Sequence, residues 1–241
     1  MFSVVIAAAA LAFGPAPHAA ATQTPAPLRE IVFKFSYDRK VERSVEEFGA
    51  PNLNVGGSNV LSGKMTVDVT QVGQDGSIRV SATDAYDSAV NAKKPFTADI
   101  VIHPNGDAVI VGGEAEDMMM TLLPYLGTRY FSDHDLQEGA SWKLISPPGQ
   151  SQTTTTFNVS NVTHDTATVS SVGKATGGDV QGTLSIESKV VYKASLLVPL
   201  SLDIVIIRSG TGSTAGQPST QNAQTHYRFD RISDTRDTAG S

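Results

Sequence analysis

The densest cluster of groups able to hold a metal ion or move a proton is Asp133-His134-Asp135, with Glu138 close behind. An imidazole between carboxylates suits zinc or calcium. Adjacent residues of an extended chain point to opposite sides, so three in a row converge on one ion only where a loop folds them together. The expectation is a solvated loop, with Asp133, His134 and Asp135 as weak metal candidates. Met118-Met119-Met120 offers thioethers, which suit copper(I). Successive helical positions turn by about 100°, so the three cannot all face one ion. Adaptable filling of a core is the better reading, or an adaptable wall if a lipid is held.

Ser171-Val172-Gly173-Lys174 has the spacing of serine–lysine acylases. That chemistry needs the serine at a helix start, whereas this stretch reads as strand and turn. The same Gly-Lys lacks the upstream glycine of a phosphate-binding loop. His103, His164 and His226 fall in turns or at strand edges, and no nucleophile elbow or metalloprotease motif is present. No catalytic residue and no cofactor is therefore assigned, and the chain reads as non-enzymatic. Trp142, the single tryptophan, is either a core anchor or a ligand-stacking ring. Met118, Leu122 and Trp142 are the candidate ligand-binding residues.

The elements that must carry these residues are mainly strands. Of 241 residues, 40% are hydrophobic and 17% charged, enough for a core and too few charges for a disordered chain. The net charge of −6, with no basic stripe, argues against nucleic acid and anionic membrane surfaces as partners. The absence of cysteine excludes disulfides, thiol chemistry and a cysteine-linked lipid anchor. Residues 4–13 form an apolar run followed by Gly14-Pro15 and Ala19-Ala20-Ala21, a small-x-small cleavage pattern, although the leader carries no Lys or Arg. The run is too short to span a bilayer, which needs about 20 residues. The expected organisation is a signal peptide at 1–21, a linker at 22–27, one β-rich domain at 28–232 and a flexible tail at 233–241. The localisation that follows is export to the periplasm or beyond, without a lipid anchor or transmembrane helix.

Within the domain, Ile31, Phe33, Phe35 and Tyr37 alternate on one strand face. Residues 51–58 read as loop. A turn at 73–76 and another at 103–106 join hairpins, the second through Asn105-Gly106. Residues 114–126 read as the one helix, acidic at its start and cut short by Pro124. Further hairpins cover 153–172 and 182–207. Residues 209–221, rich in Gly, Ser, Thr and Gln, read as a mobile loop, and 223–232 as the last strand.

A faint repeat runs through these strands with a 90-residue register. It aligns Val67 with Phe157, Val69 with Val159, Ile100 with Val190, Ile102 with Tyr192, Ala108 with Val198 and Ile110 with Leu200. Trp142 then stands as counterpart to the early aromatic strand. The prediction is a large curved antiparallel sheet or open half-barrel of roughly eleven strands, quasi-duplicated, with one short helix burying Met118, Leu122 and Leu123 on its concave face.

This layout, with Gly139-Ala140-Ser141-Trp142 leading into the second set of strands, resembles β-rich secreted bacterial proteins of unknown function. More distantly, it is similar to the periplasmic half-barrels of lipoprotein carriers and lipid-binding lipoproteins. The resemblance implies an apolar ligand, such as a lipid, or a partner on the concave surface. Two other readings stand beside it: a structural or cell-envelope interaction protein with a filled core, and a hydrolase with a dispersed Asp/His site.

Overall fold

The structure, a computed structural model, describes residues 27–45, 53–87, 94–103, 108–126, 136–145, 152–176, 182–193, 198–214 and 217–236. The leader, residues 22–26 of the linker and the Asp133-His134-Asp135 cluster lie outside them. Eleven strands are described: β1 (Arg29–Val45), β2 (Leu53–Val72), β3 (Ile78–Tyr86), β4 (Thr97–Ile102), β5 (Ala108–Gly113), β6 (Ser141–Ile145), β7 (Gln152–Ser160), β8 (Thr166–Thr176), β9 (Gly182–Lys193), β10 (Val198–Thr214) and β11 (Gln217–Asp234). They form one open antiparallel sheet in the order β5-β4-β3-β2-β1-β11-β10-β9-β8-β7-β6. Helix α1 (Asp117–Leu122) runs into a single 3-10 turn, Leu123–Leu126, on the path from one sheet edge to the other. Among the described residues, no helix is long and apolar enough to cross a membrane.

The order makes the repeat visible as topology. Strands β1–β5 and β6–β10 are two five-stranded meanders, each strand of the second lying six places from its counterpart, with β11 inserted between them. Ile100 and Val190, and Ile102 and Tyr192, are buried at matching positions on β4 and β9. Ile31 lies opposite Val67, and Trp142 lies opposite Phe157, so β6 is the counterpart of β1. The 90-residue register does not hold throughout. Val80 opposes Val69, but it is Val169, one residue short of that register, that opposes Val159; a bulge between Val69 and Gln71 supplies the extra residue. On β10, Leu202 rather than Leu200 opposes Val190, after a bulge between Pro199 and Ser201.

One sheet face is dry where the helical segment covers it. Ile31, Phe33, Phe35, Met65, Val67, Val80, Ala82, Ile100, Val169, Val190, Leu202, Ile204 and Phe229 point inward with at most 2% of their surface exposed. They meet Met118, Met119, Leu122 and Leu123 in a single cluster. Each of these side chains larger than alanine contributes about 1.5–3 kcal/mol by leaving water. The helical segment touches β3 through Glu116 and Tyr86, and β9 through the Tyr125 carbonyl and Tyr192. Those strands are five places apart, about 24 Å in a flat sheet, against ~14 Å of helix. The reach of the side chains is spent mostly in crossing the layer, so the sheet curls around the helix.

The helix is shorter than its sequence pattern. Residues 114–116 are a non-helical link between β5 and α1 instead, Glu114 donating its N–H to the Thr97 carbonyl at 3.1 Å. Helical geometry yields to the 3-10 turn at Leu123, just before Pro124, which has no N–H to offer the preceding turn.

Two segments that read as loops are strands. Residues 53–58 belong to β2, and residues 209–214 and 217–221 to β10 and β11. With them β1, β2, β10 and β11 reach 17–20 residues each and project past the helix. The supposed tail is also partly ordered. β11 runs to Asp234, whose carboxylate is fully buried and clamped by Arg29 at 2.9 and 2.5 Å and by Arg231 at 2.8 Å. Thr235 adds an N–H bond to the Glu30 carbonyl at 3.0 Å.

Candidate functional site

Where the packed region gives way to the projecting strands, alternation continues but its chemistry changes. On β1 the inward series Ile31, Phe33, Phe35 proceeds to Tyr37, Arg39, Val41 and Arg43. On β11 Phe229 gives way to Tyr227, Thr225 and Ala223, and on β10 Ile204 and Ile206 to Arg208. The boundary is a belt of tyrosines, residues apolar along the ring and polar at the tip. Tyr37 packs on Tyr227 with ring centroids 5.2 Å apart, and Tyr86 meets Phe35 edge-on at 5.5 Å.

Above this belt lies a cleft of about 420 Å³, within the range of ordinary small-ligand sites. Its walls are Tyr37, Leu61, Tyr86 and Tyr227 from the sheet and Ala115, Glu116 and Met118 from the start of the helical segment. Arg39 and Asn59 form its outer rim.

One side of the cleft is acidic. Tyr86 donates its hydroxyl to the Glu116 carboxylate, which is why Glu116 precedes the helix without capping it through its side chain. Asp84, completely buried below, accepts the Phe96 N–H at 2.9 Å. Burial, then the bond to Glu116 and the charge of Asp84, hold the Tyr86 phenol far above its ordinary range. Tyr86 is thus a fixed donor and not a general base. Deeper in, the Ser171 and Ser188 hydroxyls bond at 2.7 Å. Burial raises the phenol of Tyr125, with the Ser188 and Ser171 hydroxyls acting in the opposite sense.

Of the ligand-binding candidates, Met118 lines the cleft at 4% exposure, while Leu122 is wholly inside the core. Trp142 sits on edge strand β6, stacked on Phe157 with centroids 5.2 Å apart and planes within 7°. All three belong to or pack against one hydrophobic cluster, and Met118 is the one that lines the cleft. Glu138 is engaged, its carboxylate accepting the Val162 N–H at 2.8 Å. Ser171 faces the core while Lys174 is exposed on the opposite face of β8, which removes the acylase reading. His226 pairs with Asp203 at 2.8 Å on the outer face. Among the described residues, no three His, Asp or Glu side chains lie close enough to hold a metal ion.

Sequence reasoning missed Arg39, Asn59, Leu61, Glu116 and the cleft role of the tyrosines. The usable signal was the continued alternation beyond Tyr37 into a segment without hydrophobic periodicity. No protein-family model and no curated protein matches this chain.

Proposed function

We propose that this is an exported, non-enzymatic binding protein that holds an apolar ligand in the cleft on the inner face of its open sheet. The observation that carries the reading is the cleft itself. It lies where the inner face stops being filled by the helix, and its lining sets three tyrosines, Leu61, Ala115 and Met118 beside the polar Arg39, Asn59 and Glu116. Met118 has the thioether flexibility to adapt to a guest. The leader-like segment at 1–21 supports export. The filled-core reading draws on Met119, Leu122 and Leu123, each at 0% exposure, and confines any ligand to the region beyond them.

Titration with the uncharged fluorophore N-phenyl-1-naphthylamine tests the cleft. Saturable binding near micromolar affinity is expected, about −8 kcal/mol. Ala115→Phe, which fills the cleft, should abolish it while the thermal transition stays in place. No saturable binding, with no lipid recovered by denaturing extraction of the purified protein, would overturn the reading in favour of a filled-core protein. Mass spectrometry of protein recovered from the periplasm of a bacterial host should show a mature start near Thr22.

A further inference from the structure

We infer that the ligand is a single-chain anionic amphiphile whose charged head is received by Arg39, Arg43 and Arg208 on the projecting inner face; this rests on the cleft holding an apolar chain.

The three arginines come from sequence-distant strands and are gathered by the sheet. Arg39 pairs with Thr225, Val41 with Ala223 and Arg43 with Gln221 across the β1–β11 ladder. The β10–β11 ladder places Arg208 opposite Ala223. Arg208 therefore stands in the row between Arg39 and Arg43, two strands away, about 10 Å across the sheet. The β11 residues between them are Thr225, Ala223 and Gln221.

Charge pairing sets this face apart from the reverse of the same strands. On the outer face Lys40 pairs with Glu42 at 3.0 Å, His226 with Asp203 at 2.8 Å and Arg228 with Asp230 at 3.0 Å. Arg39, Arg43 and Arg208 are all exposed, and none makes an ion pair or side-chain hydrogen bond among the described residues. No acidic side chain lies on the projecting part of the inner face among the described residues. Three unsatisfied cations on one face of a chain of net charge −6 form a local positive field that selects anions. Planar guanidinium forks match carboxylate and phosphate oxygens, which is the shared chemistry of the head group.

The cleft fixes the rest of the ligand. Arg39 is on its rim, so a head held there directs an attached chain between Tyr37, Tyr86 and Tyr227 toward Met118. The Glu116 carboxylate lies on the far wall and is occupied by Tyr86, which keeps the anionic head at the arginine side. The volume of about 420 Å³ suits one alkyl chain and not a bundle of them.

Calorimetric titration below the critical micelle concentration tests the assignment with four probes sharing a dodecyl chain: laurate, dodecyl phosphate, dodecyl glucoside and dodecyltrimethylammonium. The two anions should bind at least about tenfold more tightly than the neutral glucoside, and the cation least. Comparing laurate with dodecyl phosphate identifies which head is preferred. R39Q/R43Q/R208Q should bring the anions down to the glucoside's affinity. Lys40→Gln, which removes a charge from the outer face, should change nothing. Glucoside binding equal to the anions, or anion binding that survives the triple substitution, would overturn the arginine site and leave the apolar cleft standing. Failure of every probe, together with failure of the uncharged fluorophore, would overturn both.

Discussion

Gly57 and Gly63 lie on the same strand and the same sheet face, six residues apart, in surroundings that have nothing in common. A Cβ at Gly63 would run into the Ala85 carbonyl and come within 2.6 Å of the Phe35 ring. A Cβ at Gly57 meets nothing within 4 Å. Between them the inner face passes from a packed core to open solvent. The packed region is tied down by apolar burial and by the Asp234 clamp. The projecting region is held chiefly by ladder hydrogen bonds and leaves its inner side chains available. One sheet thus supplies a rigid base and an accessible face, and the candidate site lies at the join.

The sharpest test of the packed region is its clamp. Removing one partner from a buried ion pair leaves uncompensated charge, so Asp234→Ala should cost about 3–5 kcal/mol in urea unfolding. An equivalent loss at the projecting end, from Lys40→Ala in the exposed Lys40–Glu42 pair, should stay below about 1 kcal/mol. Burial alone would raise the Asp234 carboxyl, but the bonds from Arg29 and Arg236 and the charge of Arg231 outweigh it and hold the group below its usual range. The folded pKa lies below the unfolded one. The clamp's contribution is therefore present above about pH 4 and lost as pH falls through the folded value. Acid unfolding of the wild type should show this loss, and Asp234→Ala should lack it.

The two glycines give the next largest effect. Gly63→Ala should destabilise by about 1–3 kcal/mol through overpacking. Gly57→Ala should be neutral or stabilising by up to about 1 kcal/mol, because it restricts the unfolded chain at no steric cost. Equal costs at the two positions would erase the distinction between the regions.

The smallest effect comes from Asp68, which faces Glu30 across the β1–β2 ladder and has one buried oxygen without a partner among the described residues. Burial and the charge of Glu30 raise its carboxyl. Its ionised form is thus a net cost at neutral pH that disappears as pH falls. Asp68→Asn should stabilise at pH 7 by about 0.5 kcal/mol, screened further by salt, with the gain fading toward pH 4.

The same contrast explains what could be read from the sequence. Strands of the packed region announce themselves because one face must be apolar, as in Ile31-Val32-Phe33-Lys34-Phe35. The helix core residues Met118, Leu122 and Leu123 were legible for the same reason. In the projecting region both faces are wet, so residues 53–58 and 209–221 have no apolar period and read as loops. Backbone pairing alone makes them strands, residues 53–58 with residues 40–45 of β1 and residues 209–214 with residues 217–222 of β11. The cleft depends on four such partners meeting at one level, and so only its individual tyrosines were legible.

The insertion of β11 between the two meanders has a consequence for the order of assembly. Among the described strands, the last in chain order is the one that joins β1 to β10. Each meander can form from local hairpins as it emerges, but the seam between them waits for residues 217–234. Closing it couples residues 31–45 with residues 219–234, a pairing of high sequence separation and the slowest kind of contact to establish. A chain emerging from a ribosome therefore remains two half-sheets with open inner edges until residues 217–234 are available.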